Sequence, residues 1–563
     1  MLKLEWRPPG ASGFTVVPTE SLLTEIDNAR VVSPGVKVLA DARRPGDGVP
    51  VAGVHPGYKL DTFHVEGFDP MVGCMALENG GKQRLIVGTF NPLQRDDVKL
   101  PDIESKKPDK LYAVSGVMGD PAAATVSVCA DGLFEPLGLC AVGDVLYVSH
   151  RRAITRLIDK DGDGFYETHE DVASGWSAWN YHQFTFGLVH RPDVDGGGPG
   201  WLYATLSTAM APPKWEGMGT NAAPNDPLRG TAIEVDLASN TFRVIAGGLR
   251  APNGIGWGPR GLDGVPALFY CDNQGTWTPS NHMGEIVIDG GRFFGHYNNT
   301  NFVPNLADRF PKGGIASSWC DRMRARPVLD LVYGDLCNSP TQPVLIETGP
   351  YRNQLLIGEL TAGGLRRACM EQVNGQWQGA VFQFSQGFSV GINRVAWGPG
   401  GVLFAGGIGA GGNWNWKGTK SGLHRLTPTG ELPFEMSAVR AMPDGFDVQF
   451  TREVDGAWLA NSANYTIKQW TYQPTDEYGG EKKQVETLTV AEAKPTGNGK
   501  RVFLRIPGLK AERTVLIRTD PTSTGGEKIW STEAFYTLNC IPKVWSSGPA
   551  FPEPFDLGAC AAR

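Results

Sequence analysis

The chain has 563 residues, a net charge of −7 and no run of lysine or arginine. That length exceeds one ordinary core, and the charge excludes the concentrated basic surface that a phosphate backbone requires, so no nucleic-acid partner is expected. Glycine (73) and proline (41) make up more than a fifth of the residues, which suits many short strands and turns better than long helices.

Taken in chain order, residues 1–57 hold a few short apolar runs between Pro/Gly-rich segments and read as an entry strap. The terminus MLKLEWRPPG has no signal-peptide apolar region, and no apolar run reaches the roughly 18 residues of a transmembrane helix. Residues 58–431 repeat one unit: a small-residue turn, a strand such as "LYV" or "LIVG", a turn, and a second strand. Six instances are "GCMALENGGKQRLIVGTF", "PLGLCAVGDVLYVSHRRAITRLID", "PGWLYATLST…TAIEVDL", "PNGIGWGPRGLDGVPALFYCDNQG", "YRNQLLIGELTAGGLRRACME" and "INRVAWGPGGVLFAGGIGAGG". Alternation in Val145–Ser149 and Leu355–Glu359 predicts half-buried strands. The expected fold is therefore all-β, a propeller of about six blades; two stacked β-sandwiches are the competing arrangement. Residues 432–540 alternate at the spacing of a small immunoglobulin-like β-sandwich, read as a structural or docking module, and 541–563 form a tail. The nine cysteines include no CxxC or CxxCH, so neither a zinc knuckle nor attached haem is expected. Cys540 and Cys560 are the pair an oxidising compartment would join.

Asp159-Lys-Asp161-Gly-Asp163-Gly-Phe165-Tyr-Glu167-Thr-His-Glu170 fits a calcium loop. Carboxylates of Asp159, Asp161 and Asp163 alternate, a glycine bends the chain, Phe165 offers a carbonyl, and Glu167 and Glu170 follow, as a hard cation seeking six to eight oxygens requires. The flanks are strands rather than helices, which makes this a hairpin loop within a blade. A solvated acidic turn is the plainer alternative.

Polar and aromatic residues gather at other strand ends. Tyr181, His182 and Gln183 lie beside Trp179, and a histidine is the natural general base near neutral pH. Arg250 and Asn253 occur in "LRAPNG", and Asp272, Gln274 and Trp277 in "CDNQGTW"; Arg250 could clamp a carboxylate and the amides could read hydroxyls. Glu359, Arg366 and Arg394 form a third group, and Trp414 in "GGIGAGGNWNW" offers a platform for a sugar ring. Each has a plain structural alternative: a core histidine, a bridge between blades, a capped turn.

These segments together resemble a bacterial family, abundant in planctomycetes, labelled membrane-bound or sorbosone dehydrogenase-like proteins. The matches are "EPLGLC…LYVSHR", "LIDKDGDG", "WNYHQFTFG", "LRAPNGIGW", "CDNQGTW", "GGRFFGHY", "EQVNGQWQGAVFQF", "GINRVAWGPGG" and "PFEM…PDGF". More distantly the chain resembles soluble glucose dehydrogenases that hold pyrroloquinoline quinone over calcium. That resemblance implies His182 as the base, Arg250 and Asn253 near cofactor or sugar, Gln274, Gly275 and Thr276 at a second calcium, and Arg394 on the quinone. Asn281 and His282 replace an acidic pair of that family, and its quinone-contacting lysine has no counterpart. It further implies a periplasmic or secreted protein with a carbohydrate substrate and an electron acceptor such as a c-type cytochrome. Three functions follow: a quinone-linked sugar dehydrogenase, a carbohydrate lyase or hydrolase using His182 with Asp272 or Glu359, and a calcium-stabilised carbohydrate-binding propeller.

Overall fold

The structure, a computed structural model of the chain, describes residues 53–78, 83–91, 108–178, 183–208, 228–275, 277–296, 324–409, 416–475 and 478–543. Five antiparallel blades run in chain order. The first is Val72–Leu77, Leu85–Thr89, Asp109–Ser115 and Thr125–Leu133; the second is Gly138–Val142, Val145–His150, Ala153–Ile158 and Thr168–Ser174. The third is Thr185–Arg191, Trp201–Leu206, Thr231–Asp236 and Thr241–Gly247; the fourth is Gly254–Arg260, Pro266–Asp272, His282–Ile286 and Leu329–Asp330. The fifth is Pro340–Leu345, Leu355–Glu359, Leu365–Val373 and Gln376–Ser385. The sixth takes Ile392–Trp397, Leu403–Ile408 and Ser421–Pro428, and its outer strand comes from the chain start, Tyr58–Thr62. Innermost strands touch from first to sixth and back to first, so the ring is a closed six-bladed propeller. All six repeats seen in the sequence are blades.

Packing explains the composition. Six apolar clusters lie between successive blades, for example Leu111, Leu146 and Val148 between the first and second, and Leu355, Phe269 and Val381 between the fourth and fifth. A blade is covered on both faces, so its inner strands need apolar residues on both. Val145–His150 and Leu355–Glu359 are accordingly buried along nearly their whole length, not half-buried as their alternation suggested. Blades converge at the axis, and glycine opens the innermost strands of the second and fourth. A Cβ on Gly138 would strike the Gly187 backbone, and one on Gly254 the backbone of Gln342.

The C-terminal module is a β-sandwich. One sheet orders Met436–Met442, Gly445–Phe450, Arg501–Arg505 and Glu492–Thr496. The other holds Lys483–Leu488, Tyr465–Thr471, Arg513–Thr519 and Glu533–Leu538, and the last of these strands pairs with the outer strand of the fifth blade. Sandwich and blade thus share one eight-stranded sheet. Tyr465–Thr471 alternates buried and exposed as a sandwich strand should. Among the described residues no helix is long and apolar enough to cross a membrane.

A buried ion cluster pins the junction. Glu435 accepts from His55 Nε2 (3.0 Å), Arg367 Nη2 (3.1 Å) and the Tyr351 hydroxyl, while Arg367 Nη2 also donates to Met436 O (2.6 Å). Strap, fifth blade and sandwich meet there. Although burial alone would raise its pKa, Arg367 and His55 hold the Glu435 carboxyl down at about 2, against 4.5 ordinarily. The folded state therefore binds its proton less readily than the unfolded chain. Its contribution, roughly 3 kcal/mol, is complete above about pH 4.5 and lost as the pH falls toward 2. Glu435→Gln is expected to lower denaturant stability by roughly 3 kcal/mol at neutral pH, and to show a shallower loss of stability than the parent on acidification below pH 4.5.

Candidate functional site

Antiparallel blades give the ring two unlike faces. Turns between the first and second strands, and between the third and fourth, emerge on one side. Links between the second and third strands, and from each blade to the next, emerge on the other. The positions singled out around Gln183, Arg250, Asp272, Glu359 and Arg394 all lie at the second face. The acidic loop joins Ala153–Ile158 to Thr168–Ser174 and therefore lies on the first, a strand of roughly 20 Å away.

At the axis the second face is closed. Phe90, Leu137, Phe184, Phe186, Leu360 and Ile408 form one apolar cluster, drawn from the first, second, third, fifth and sixth blades. Beside it Arg394 is 3% exposed. Its Nε and Nη2 donate to Leu137 O (3.2 and 2.7 Å), and Nη1 donates to the carbonyl and side-chain oxygens of Asn253 and Asn393 (2.8–3.0 Å). Asn393 Nδ2 continues to Val72 O at 2.7 Å. These bonds join the second, fourth, sixth and first blades. Burial without a carboxylate partner lowers the Arg394 pKa to about 10.

Off the axis, the fourth blade meets the sandwich. Asp272 lies fully buried and accepts three backbone N–H groups, from Arg250, Ala251 and Asn273, each at 2.7 Å. Burial raises its pKa to about 6 against the opposing pull of those bonds and of Arg250. Asp272 thus holds the 250–253 turn in place. The Arg250 guanidinium lies 4.9 Å from the Tyr478 ring, and Gly275 leaves room for it, since a Cβ there would strike Nε. Trp277, at φ +62, donates its N–H to Thr475 O at 2.8 Å. Gly479 N–H reaches Gly275 O at 3.2 Å, and the Gln274 side chain lies against Gly479. A sandwich segment therefore covers this part of the propeller. Tyr478, 41% exposed, belongs to the site although some 200 residues separate it from Asp272; no local pattern marks it.

Glu359 and Arg366 complete the rim as structural groups. Glu359 accepts the N–H groups of Asn338 (3.0 Å), Ser339 and Ala362, and burial raises its pKa. Arg366 donates to Leu336 O (2.6 Å) and Gly363 O (3.0 Å). Asn281, in place of an acid, accepts Gln274 N–H (2.9 Å) and donates to Cys337 O (2.9 Å). His282 is buried between the Tyr270 hydroxyl (3.2 Å) and Ser280 O (3.2 Å), and burial lowers its pKa to about 4. Gln183 is buried at the edge of this face. Tyr181, His182, Thr276, Trp414 and Cys560 lie outside the described residues.

In the acidic loop, Asp159, Asp161 and Glu167 bring carboxylate oxygens within 4.8 Å of one another. Each also accepts loop N–H groups: Asp159 those of Gly162 (2.7 Å) and Gly164 (2.9 Å), Asp161 that of Asp163 (3.2 Å) and Glu167 that of Lys160 (3.1 Å), as Asp163 accepts Phe165 N–H (2.7 Å). Glu170, already in the outer strand, pairs with Arg156 across the sheet. The loop braces the first two blades: Tyr166 donates its N–H to Cys129 O at 2.7 Å and its hydroxyl to Glu78 at 2.5 Å. Its position on the far face separates it from Gln183.

No family model matches the chain, and no curated protein matches its sequence. Among solved structures it is similar to an oxidoreductase (glucose dehydrogenase) of Thermus thermophilus, at 15% identity, covering 66% of this chain and all of that one, with a TM-score of 0.44. A Trichoderma reesei carbohydrate-active enzyme of family AA12 matches at 12% identity over 69% of this chain and 99% of its own, TM-score 0.44. The PQQ domain of a Coprinopsis cinerea pyranose dehydrogenase matches at 12% over 66% and 98%, TM-score 0.41. At these distances no residue role transfers. Arg394→Met, which keeps bulk and removes every donor, is expected to cost at least about 3 kcal/mol in denaturant unfolding; an unchanged stability would show that the axial oxygens do not need the guanidinium.

Proposed function

We propose that this chain acts on a carbohydrate at the off-axis site between the fourth blade and the sandwich, as an oxidoreductase of the sugar-dehydrogenase type. The observation that supports this is one patch of the second face where the buried Arg250 lies under the exposed Tyr478 ring, with Gln274 and Trp277, also buried, against the neighbouring Gly479 and Thr475. The exposed Tyr478 ring offers an aromatic face on which a sugar ring can lie, held from beneath by the buried Arg250. In this reading His182, one residue before the buried Gln183, takes the hydroxyl proton. Asp272 acts by fixing the turn that carries Arg250. The dehydrogenase-like motifs in the sequence favour oxidation.

Pyrroloquinoline quinone does not fit the described residues on the axis. Its three carboxylates need free cations, whereas Arg394 is surrounded by protein oxygens, Arg367 is paired with Glu435, and the axial mouth is filled by Phe90, Phe184 and their neighbours. That observation favours a second reading, cleavage of a glycosidic bond at the same patch without a redox cofactor. Calcium fits the acidic loop: Asp159, Asp161 and Glu167 supply converging hard oxygens, and there the ion would hold the loop whose Tyr166 packs against the first blade.

Two assays separate the readings. Dye reduction across a sugar panel, with quinone and calcium added, is expected for oxidation, with His182→Ala at least about 100-fold slower; no reduction by any sugar rules oxidation out. Released fragments from oligosaccharides without an acceptor would establish cleavage instead. Tyr478→Ala is expected to weaken sugar binding about tenfold, measured by calorimetry. Calcium is expected to raise the thermal midpoint of the parent protein and not that of Asp159→Ala, while leaving sugar affinity unchanged because the loop lies on the opposite face.

A further inference from the structure

Where the ring closes, three side chains lie in line at the second face. Ser389, in the link from the fifth blade to the sixth, shares a hydrogen bond of 3.1 Å with His424 Nε2. His424 Nδ1 in turn lies 3.0 Å from Thr62 Oγ1. The fold alone assembles them: Thr62 ends the strand that closes the ring, and His424 stands opposite it in register. Ser389 is partly exposed, His424 is fully buried against Phe388, and neither hydroxyl has another side-chain partner among the described residues. Gly422 places no side chain over the pair; a Cβ there would lie 3.0 Å from Ser389 Oγ and 3.1 Å from His424 Nε2.

From this geometry we propose that Ser389, His424 and Thr62 form a nucleophilic site for acyl transfer, taking a small ester or lactone. The arrangement is a nucleophile, its base, and a third group that orients the base. With Nδ1–H given to Thr62, the Nε2 lone pair faces the serine hydroxyl. Burial, with smaller contributions from His64 and Lys417, lowers the His424 pKa to about 4, so at pH 7 the ring is neutral with its Nε2 lone pair free, and the same burial makes the transient imidazolium costly. As Ser389 Oγ bonds to the acyl carbon, its proton passes to Nε2 and the carbonyl π pair moves onto oxygen. Collapse breaks the ester C–O bond, and the leaving alkoxide takes the proton from Nε2. Water then repeats the sequence on the acyl-serine and releases the acid. A hydroxyl orienter stabilises the transient imidazolium less than a carboxylate does, so turnover is slow and activated esters are the suitable probes.

The test uses the intact protein, a fluorophosphonate probe with peptide mapping, and hydrolysis of p-nitrophenyl acetate. It involves no sugar and no electron acceptor, so its outcome is independent of the oxidation reading. Ser389 is expected to carry the label, Ser389→Ala to lose it, and His424→Gln to label about 100-fold more slowly. Thr62→Val is expected to lose about tenfold and Thr62→Ser to recover most of it. Should His424→Gln fail to fold, the Thr62 pair decides. No label on Ser389 under conditions that label a control serine esterase overturns the proposal. So does a rate unaffected by His424→Gln, or Thr62→Val equal to the parent.

Discussion

The Arg394 guanidinium lies out of water among the oxygens of Leu137, Asn253 and Asn393, with no carboxylate partner among the described residues. Removing such a cation from water costs several kcal/mol, and only a cage of carbonyl dipoles offsets it. Those oxygens stand where innermost strands of different blades converge, so each hydrogen bond is also a tie across the ring. A blade that shifted would leave both a cation and a backbone carbonyl unpaired. The axis is therefore a structural centre, sealed above by Phe90, Phe184 and Leu360.

With the centre filled, the second face at the rim is where the sandwich meets the propeller. The second face collects the long links between strands, and the sandwich brings Thr475, Tyr478 and Gly479 onto it. Two modules that look independent along the chain are thereby made one surface. Their union rests on a continuous sheet, on apolar packing around Phe382, Phe446 and Tyr536, and on the Glu435 cluster. The two buried charges are handled differently: Arg394 is solvated by neutral dipoles, whereas Glu435 is paired with Arg367. Both leave a chain whose ordering is cooperative across blade boundaries.

Several acids and arginines that stand out in the sequence hold turns rather than substrates. Asp272 and Glu359 each gather three backbone N–H groups, and Arg366 caps carbonyls of neighbouring links. A residue type that binds ligands well also caps backbone well, because both tasks ask for charge-assisted hydrogen bonds. Sequence cannot separate them. The Ser389–His424–Thr62 alignment gave no signal at all: its first and last members are over 300 residues apart, and no short pattern joins them.

By itself the sequence determined the repeats and an all-β fold of about six blades followed by a small β-sandwich, and it marked the acidic stretch from Asp159 to Glu170 as a loop. All are local properties, set by turn residues, strand-length apolar runs and closely spaced charges. Only the tertiary structure decided that Tyr58–Thr62 closes the sixth blade, that Glu170 belongs to Arg156, and that the acidic loop and the Asp272 patch lie on opposite faces. It also set Tyr478 over Arg250. These depend on how strands far apart in the chain align, and that is fixed by burial between blades, which no window of sequence records.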